Sequence, residues 1–235
     1  MFNRMANWGE ESGIEYWTMS PDRAEEGLKV LRDGFFTEEA FCCNVGIDRD
    51  IEGQRELEKL CLECALDGVS IIAVDKETNQ IVGVCYNKLQ TAPPPGQKSF
   101  FEEFRDTKCK TKTAKALISM MMQFDSLVDL YDKYDATSSF ELMFLGTHPD
   151  CRKRGVASGC VKSSLSLVKT LTPPKPSIMT AIFTSPFSIR VGQSLNFDKV
   201  IHVPMEETIY EGKPFSEHPK VGKNHPGSIV MVKRL

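Results

Sequence analysis

Hydrophobic positions along the chain switch repeatedly between the spacing of strands and that of helices. The apolar run Ile14 to Met19 predicts a first strand. Ser20-Pro21-Asp22 then predicts a helix start: a capping hydroxyl, a proline in the first turn, and acids at Asp22, Glu25 and Glu26 facing the positive end of the helix dipole. That helix is expected to reach Gly34. A second is predicted from Ile51 to Leu66, where Leu57, Leu60, Cys61 and Cys64 recur at helical spacing. Two β-branched runs, Val69 to Val74 and Ile81 to Tyr86, flank the polar stretch 75–80 and read as a hairpin, so the sheet is expected to be partly antiparallel.

Residues Leu89 to Lys112 hold Pro93-Pro94-Pro95-Gly96 and many charges, and are expected to form a long surface excursion. Ala114 to Tyr131 is a predicted helix whose stripe of Leu117, Met120, Met121, Phe124, Leu127 and Val128 fills core. Phe140 to Thr147 predicts a strand, and Gly155 to Leu171 a helix halted by Pro173-Pro174-Lys175-Pro176. Ile178 to Phe183 follows as a strand and Pro186 to Leu195 as a short helix. Val200 to Ile209 and Ser228 to Lys233 close the chain as strands around the Gly/Pro/Lys/His-rich segment 211–227. The class is α/β. No repeat or linker divides the chain, and 235 residues with 41% hydrophobic content suit one core, so a single domain over 1–235 is expected.

A formal charge of -3 argues against nucleic acid and for a small-molecule partner. No apolar run has the length of a membrane span, and Met1, Phe2, Asn3 and Arg4, with Glu10 and Glu11 close behind, lack a signal-peptide core; a cytoplasmic protein is expected. The eight cysteines show no disulfide framework and read as reduced thiols. Cys61-Leu62-Glu63-Cys64 has no second pair for zinc and is expected on a half-buried helix surface. His148, His202, His218 and His225 form no ligand spacing, so no metal is expected, and nothing in the sequence sets the oligomeric state.

The chemistry concentrates where the strand Phe140 to Thr147 gives way to a helix. The run Arg152-Lys153-Arg154-Gly155-Val156-Ala157 offers free backbone N–H groups, three cations and two residues small enough for an oxyanion to come close. Neither G-x-x-x-x-G-K-[ST] nor G-x-G-x-x-G can be written across it, so a nucleotide triphosphate or a dinucleotide is not the natural ligand. It matches R-x-x-G-x-[GA].

That hexapeptide, in this order of elements, resembles the pyrophosphate loop of the GNAT superfamily, the acyl-CoA-dependent N-acyltransferases. More narrowly, the chain resembles the insect arylalkylamine N-acetyltransferases over nearly its whole length. Phe35-Phe36-Thr37-Glu38-Glu39, Ile72-Ala73-Val74-Asp75 with Ile81-Val82-Gly83-Val84, and Phe183-Thr184-Ser185-Pro186-Phe187-Ser188-Ile189-Arg190-Val191 leading to Ser194-Leu195-Asn196-Phe197 carry the likeness. The resemblance implies a central mixed, mostly antiparallel sheet of about seven strands flanked by helices. It also implies acetyl-CoA as cosubstrate and transfer of its acetyl group directly to the primary amine of a dopamine-, serotonin-, tyramine- or tryptamine-like acceptor. Coenzyme A would lie on the amides of Arg152, Lys153, Arg154, Gly155, Val156 and Ala157, with its pantetheine arm along the backbone of Leu145 and Thr147 as an added strand.

An ammonium cannot attack a thioester until it loses a proton, so such a site requires a general base. The resemblance assigns this to Glu39, with Glu38 the adjacent alternative, and aligns Ser188 and Thr184 with hydroxyls of the insect enzymes. Ser188 would protonate the departing thiolate, and Thr184 would polarise it or organise water; helix capping is the competing reading of these hydroxyls. No thiol nucleophile is expected. Phe35, Phe36, Tyr86 and Phe187 are candidate walls of an aromatic pocket or ordinary core. The sequence departs from the family at Ala40, where proline is common, and at Gly192, where many GNAT enzymes carry tyrosine; Asn196-Phe197 replaces Gly-Phe. Two alternatives stand beside the arylalkylamine reading: a non-catalytic acyl-CoA-binding module, and a GNAT enzyme acting on polyamines or protein amino groups.

Overall fold

Strand β3 (Ile71–Asp75) shows how the sheet is buried. Ile72 and Val74 pack into one apolar cluster while Ile71 and Ala73 pack into another on the opposite face, as the two-residue period of a strand covered on both sides requires. The computed structural model describes residues 6–94, 96–222 and 225–235. Met1 to Arg4, read for a signal peptide, and Pro95, in the proline run, lie outside the described residues.

Eight strands form the main sheet. β1 (Asn7–Glu11), β2 (Ile14–Thr18), β3, β4 (Ile81–Thr91), β5 (Ser138–Thr147) and β6 (Ile178–Phe183) lie side by side in chain order; β10 (Ser228–Arg234) then inserts between β6 and the edge strand β7 (Asp198–Val203). Every pairing is antiparallel except β5 with β6. That parallel pair is joined through α8 (Val156–Thr170), the crossover that parallel strands need. α1 (Pro21–Val30), α4 (Ile51–Ala65) and α6 (Lys112–Asp125) cover one face, and α8 with α9 (Pro186–Ser194) the other. β8 (Ile209–Tyr210) and β9 (Lys213–Pro214) form a separate two-stranded hairpin. No described helix is long and apolar enough to cross a membrane.

Two irregularities shape the site. The β4–β5 register shifts between Tyr86 and Asn87, which leaves Met143 opposite no residue; before this bulge Phe140 and Leu142 face α8, and after it Phe144 faces the α1 side. The β5–β6 pairing ends at Leu142 and Ala181, although β5 runs on to Thr147 and β6 to Phe183. The two strands part over their carboxyl-terminal halves.

Several expectations need correction. β1 is an additional strand. The first helix passes beyond Val30 into a wider turn over Leu31–Phe35, and two short helices, α2 (Phe36–Glu38) and α3 (Ala40–Val45), follow it. Ser20 stands at the N-cap of α1, but its hydroxyl makes no capping bond. The stretch Leu89 to Lys112 is no simple excursion: β4 extends to Thr91, and α5 (Phe100–Lys108), capped by Ser99, buries Phe101 and Phe104. The helix expected to end at Tyr131 stops at Asp125, and α7 (Leu130–Tyr134) is separate. The strand expected over Val200 to Ile209 is β7, Asp198–Val203; it pairs antiparallel with β10, and a strap of residues 204–222 lies between the two in the chain. Cys61 and Cys64 are fully buried, since α4 packs between α1 and α6. All eight cysteines are free thiols.

Candidate active site

Glu39 is held from both sides of its own loop. Its extended backbone breaks the chain between α2 and α3, and its Oε2 accepts the Cys42 N–H at 2.8 Å as the N-cap of α3, which ends at Gly46 in the left-handed region. The other oxygen, Oε1, accepts the hydroxyl proton of Thr184 at 2.6 Å, from a residue 145 positions away at the carboxyl end of β6. Glu39 is half-buried and Thr184 is 8% exposed. Glu38, the neighbouring acid, points elsewhere: it is exposed and pairs with Arg152 at 2.8 Å. Burial, and then the Glu39 charge, push the Cys42 thiol well above its ordinary range, and burial pushes Cys43 up to about 12. Neither supplies a thiolate beside Glu39.

The strap closes over this loop. Phe215 is buried, with its ring centroid 5.8 Å from that of Phe41 on α3. Lys220 Nζ donates to the Thr37 carbonyl at 3.1 Å and to Asp48 Oδ2 at 2.8 Å. Beyond it, His225 Nδ1 lies 2.7 Å from the Thr184 carbonyl oxygen, so one residue, Thr184, touches Glu39 through its side chain and His225 through its backbone. No spacing in the sequence marks His225 as part of the site.

Ser188 sits at the start of α9 in a reciprocal cap with Ser185. Ser185 Oγ accepts the Ser188 N–H at 3.1 Å, Ser188 Oγ accepts the Ser185 N–H at 3.3 Å, and the two hydroxyl oxygens are 2.9 Å apart. Its hydroxyl also reaches the Ser185 carbonyl at 3.1 Å. The structure therefore brings Thr184, and not Ser188, into contact with Glu39.

The cradle lies at the adjacent end of β5. Lys153 (φ 63°) and Gly155 (φ 81°) are both left-handed, the kind of turn by which successive N–H groups converge on one point. A Cβ added at Gly155 would meet nothing within 4 Å, so the space above it is open. The helix ladder begins with Gly159 N–H donating to Gly155 at 2.9 Å, which leaves the N–H groups of Val156, Ala157 and Ser158 without intrahelical acceptors. Gly83 lets this end of α8 press onto β4: a Cβ there would fall 2.3 Å from Val156 Cγ1. The three cations are not equivalent. Arg152 holds Glu38, Arg154 holds Asp75 at 3.2 Å and reaches Ser12 O at 3.4 Å, and among the described residues Lys153 makes no side-chain hydrogen bond.

Leu145 and Thr147 stand on the open edge of β5. His148 N–H donates to Val82 on β4, so by strand alternation the amides of residues 145 and 147 point the other way, toward the gap left by β6. These donors, the open space at Gly155 and the free amides of α8 suit an extended ligand carrying a diphosphate. The aromatic candidates divide. Tyr86 and Phe36 are buried core, Tyr86 donating to Ala24 O at 2.6 Å, and Phe187 is 67% exposed. Phe35 alone is half-buried beside the Glu39 loop, edge-on to Phe36 at 6.0 Å and Phe144 at 5.6 Å. Among the described residues no group of three or more His, Cys, Asp or Glu side chains could hold a metal ion.

No protein-family model and no curated protein matches the sequence. Solved structures do match. Arylalkylamine N-acetyltransferase 2 from Aedes aegypti superposes with a TM-score of 0.78 at 23% identity, covering 95% of this chain and 99% of its own. A mosquito arylalkylamine N-acetyltransferase-like 5b gives 0.76 at 17% identity over 94% and 100%. The polyamine N-acetyltransferase of Drosophila melanogaster, which forms N-acetylagmatine, gives 0.76 at 13% identity over 94% and 100%. What is shared at these identities is architecture: the chain has the GNAT fold in the form that these insect proteins take.

Proposed function

We propose that the protein is an acetyl-CoA-dependent N-acetyltransferase acting on the primary amine of a small arylalkylamine. The observation that carries this reading is convergence at the carboxyl ends of the one parallel strand pair. There the Glu39–Thr184 contact, the open amides of Leu145 and Thr147, and the cradle of α8 meet, with Arg152 and Glu38 joining cradle to base loop. Crevices outside the carboxyl ends of parallel strands are where α/β sheets bind ligands.

Acetyl-CoA supplies the activated acyl group. The Arg152 N–H, expected in the cradle, instead donates to the Pro149 carbonyl at 3.3 Å; the amides from Lys153 to Ala157, assisted by the Lys153 and Arg152 side chains, hold the diphosphate, and the β5 edge at Leu145 and Thr147 holds the arm. Glu39 takes the proton from the acceptor's ammonium, freeing the nitrogen lone pair for attack. Thr184, donating to Glu39 Oε1, holds the carboxylate in place. Ser188 gives up its bond to the Ser185 carbonyl to donate to the departing thiolate, and Phe35 offers the acceptor ring a half-buried face.

Release of free thiol from acetyl-CoA is measured with dopamine, tyramine, tryptamine, agmatine and spermidine. The expected result is turnover that favours the aromatic amines. Glu39→Ala should lower it by about 100-fold or more, most severely at low pH, while Glu38→Ala retains it. Thiol release that does not depend on the amine supplied would refute the acetyltransferase reading; turnover confined to agmatine or spermidine would overturn the acceptor class.

A further inference from the structure

Asp48 carries a charge that packing alone gives no cause to bury. It lies on the turn Ile47–Arg49 that follows α3, and its side chain is 4% exposed. Among the described residues its Oδ1 accepts no hydrogen bond, and Arg49 Nε stands 3.5 Å away, at ion-pair distance only. Oδ2 has one donor, Lys220 Nζ at 2.8 Å. A buried carboxylate destabilises a fold unless it is paired and hydrogen-bonded, so this one depends on the strap being closed.

The same ammonium makes a second bond. Lys220 Nζ donates to the Thr37 carbonyl at 3.1 Å, near the carboxyl end of α2 and two residues before Glu39. One side chain thus joins the chain that precedes α3 to the chain that follows it. α3 has six residues, well short of the roughly 12 to 15 below which a lone helix is marginal, and must be held by its surroundings. Its body is held by packing, since Ala40, Phe41, Cys42, Cys43 and Val45 are buried. The break before it is not: Thr37 and Glu39 are half-buried and Glu38 is exposed.

The strap presents the ammonium from a fixed base. Phe215 and Val221 are buried, the Lys220 N–H donates to His218 Nδ1 at 3.3 Å, and a Cβ at Gly222 would fall 2.3 Å from the Ser216 carbonyl oxygen. The chain is therefore folded tightly on both sides of Lys220. The hydrogen bond to Asp48 raises the Lys220 pKa, which keeps the group an ammonium.

We propose that Lys220 is a positioning residue of the reaction, its ammonium stapling Thr37 to Asp48 so that the Glu39 carboxylate stays where the acceptor's ammonium arrives. The Asp48 bond anchors the staple, and the Thr37 bond sets the break that Glu39 occupies. Lys220 gives up no proton in the cycle. It acts through Glu39, whose Oε2 caps α3 at Cys42 and whose Oε1 meets Thr184. The inference rests on the proposed acetyltransferase reading.

Three variants separate holding the fold from placing the base. Lys220→Met keeps the apolar stem and removes both bonds; Asp48→Asn removes the buried charge but keeps an acceptor, so the staple remains; the double variant loses the charge and both bonds. The melting temperature should fall in Lys220→Met, which strands the Asp48 charge, and recover in the double variant, where that charge is gone. Turnover should not follow it. With the best amine of the panel, well below each melting point, kcat should drop about 10- to 100-fold in Lys220→Met and in the double variant, as small misplacements of a reacting group do, and stay within about threefold of wild type in Asp48→Asn. Coenzyme A affinity should be unchanged throughout. Hydrogen exchange reads the staple without turnover: in the double variant the Cys42 amide, bonded to Glu39 Oε2, should exchange about 10-fold faster or more while the amides of β3 keep their protection. A double variant that regains wild-type kcat together with its melting temperature, or one whose Cys42 amide exchanges as in the wild type, overturns the inference and leaves the acetyltransferase reading intact. A wild type that releases no thiol with any amine overturns both.

Discussion

Gly155 separates two contributions of the cradle, its backbone geometry and its empty space. The residue has φ 81° and ψ 1°, and a Cβ placed on it touches nothing within 4 Å. A side chain there creates no clash, and the whole cost to the fold is conformational: about 1–2 kcal/mol for an ordinary L-residue in the left-handed region, less for asparagine, which tolerates it. In a chain of this length each kcal/mol corresponds to about 2–4 °C of melting temperature. Gly155→Val should therefore lower Tm by roughly 2–8 °C and Gly155→Asn by about half of that or less. For ligand binding the order differs. Both side chains project into the space over the free amides of Val156, Ala157 and Ser158, where hydrogen bonds to a charged diphosphate are worth about 1.5–3 kcal/mol each. Loss of one such bond raises Kd by about 10- to 100-fold. Titration calorimetry with coenzyme A, paired with thermal unfolding, should find both variants weak binders but only the valine variant clearly less stable. An asparagine variant that binds coenzyme A within twofold of wild type would refute the placement of the diphosphate on this loop.

Two further outcomes can be checked on the same protein. The Arg152–Glu38 pair is about half exposed on both sides, which limits it to about 1 kcal/mol; Glu38→Gln should release Arg152 to the diphosphate and tighten coenzyme A binding up to about fivefold, an effect that calorimetry at two salt concentrations should show fading as ionic strength rises. Burial pushes the Glu141 carboxyl from 4.5 to about 7 and raises the neighbouring Asp125 as well. The native state thus keeps protons that the unfolded chain releases, so this stabilisation is complete below about pH 4.5 and falls as pH rises toward 7, by up to about 1.4 kcal/mol per pH unit for each retained proton. Thermal unfolding across that range should show the decline, and Glu141→Gln should flatten it; a decline unchanged in the variant would assign it to other groups.

Much of the frame was legible because its boundaries are marked by chemistry. Pro186 opens α9, the proline run after Thr170 closes α8, and the β-branched runs of β3 and β4 sit where their composition places them. The missed elements lack such marks. β1, Asn-Trp-Gly-Glu-Glu, is a mostly exposed edge strand whose polar residues suit solvent and repel further pairing. α3 is only six residues long and exists because Glu39 caps one end and Gly46 turns the other. α5 did carry a signal, since Ser99 stands three residues before Glu102 and Phe101 and Phe104 are spaced for one face, but the surrounding charges hid it. Within the site, the cradle is a local feature and could be read locally. The contact of Glu39 with Thr184 spans 145 positions, and the arrival of His225 beside it follows a strap whose anchors, Phe215 and Lys220, have no periodicity to announce them.

The bulge at Met143 explains why the open edge of β5 and Glu39 lie beside one another. Without the extra residue, β5 would keep one parity along its length, and Phe144 would lie on the α8 face with Phe140 and Leu142. The bulge instead transfers Phe144 to the α1 face, where its ring meets Phe35 at 5.6 Å and so ties β5 to the segment that carries Glu39. At the same step the pairing with β6 lapses, for the last bonded partners are Leu142 and Ala181. A bulged strand bends away from its neighbour, and here the bend leaves the amides of Leu145 and Thr147 pointing into a gap whose far side ends at Thr184. One inserted residue thus frees the edge proposed to hold an extended thioester and packs the Glu39 loop beside it. A glutamate at the same place in the sequence, on a sheet with an unbroken β5–β6 pair, would have a hydroxyl partner and no open edge to serve.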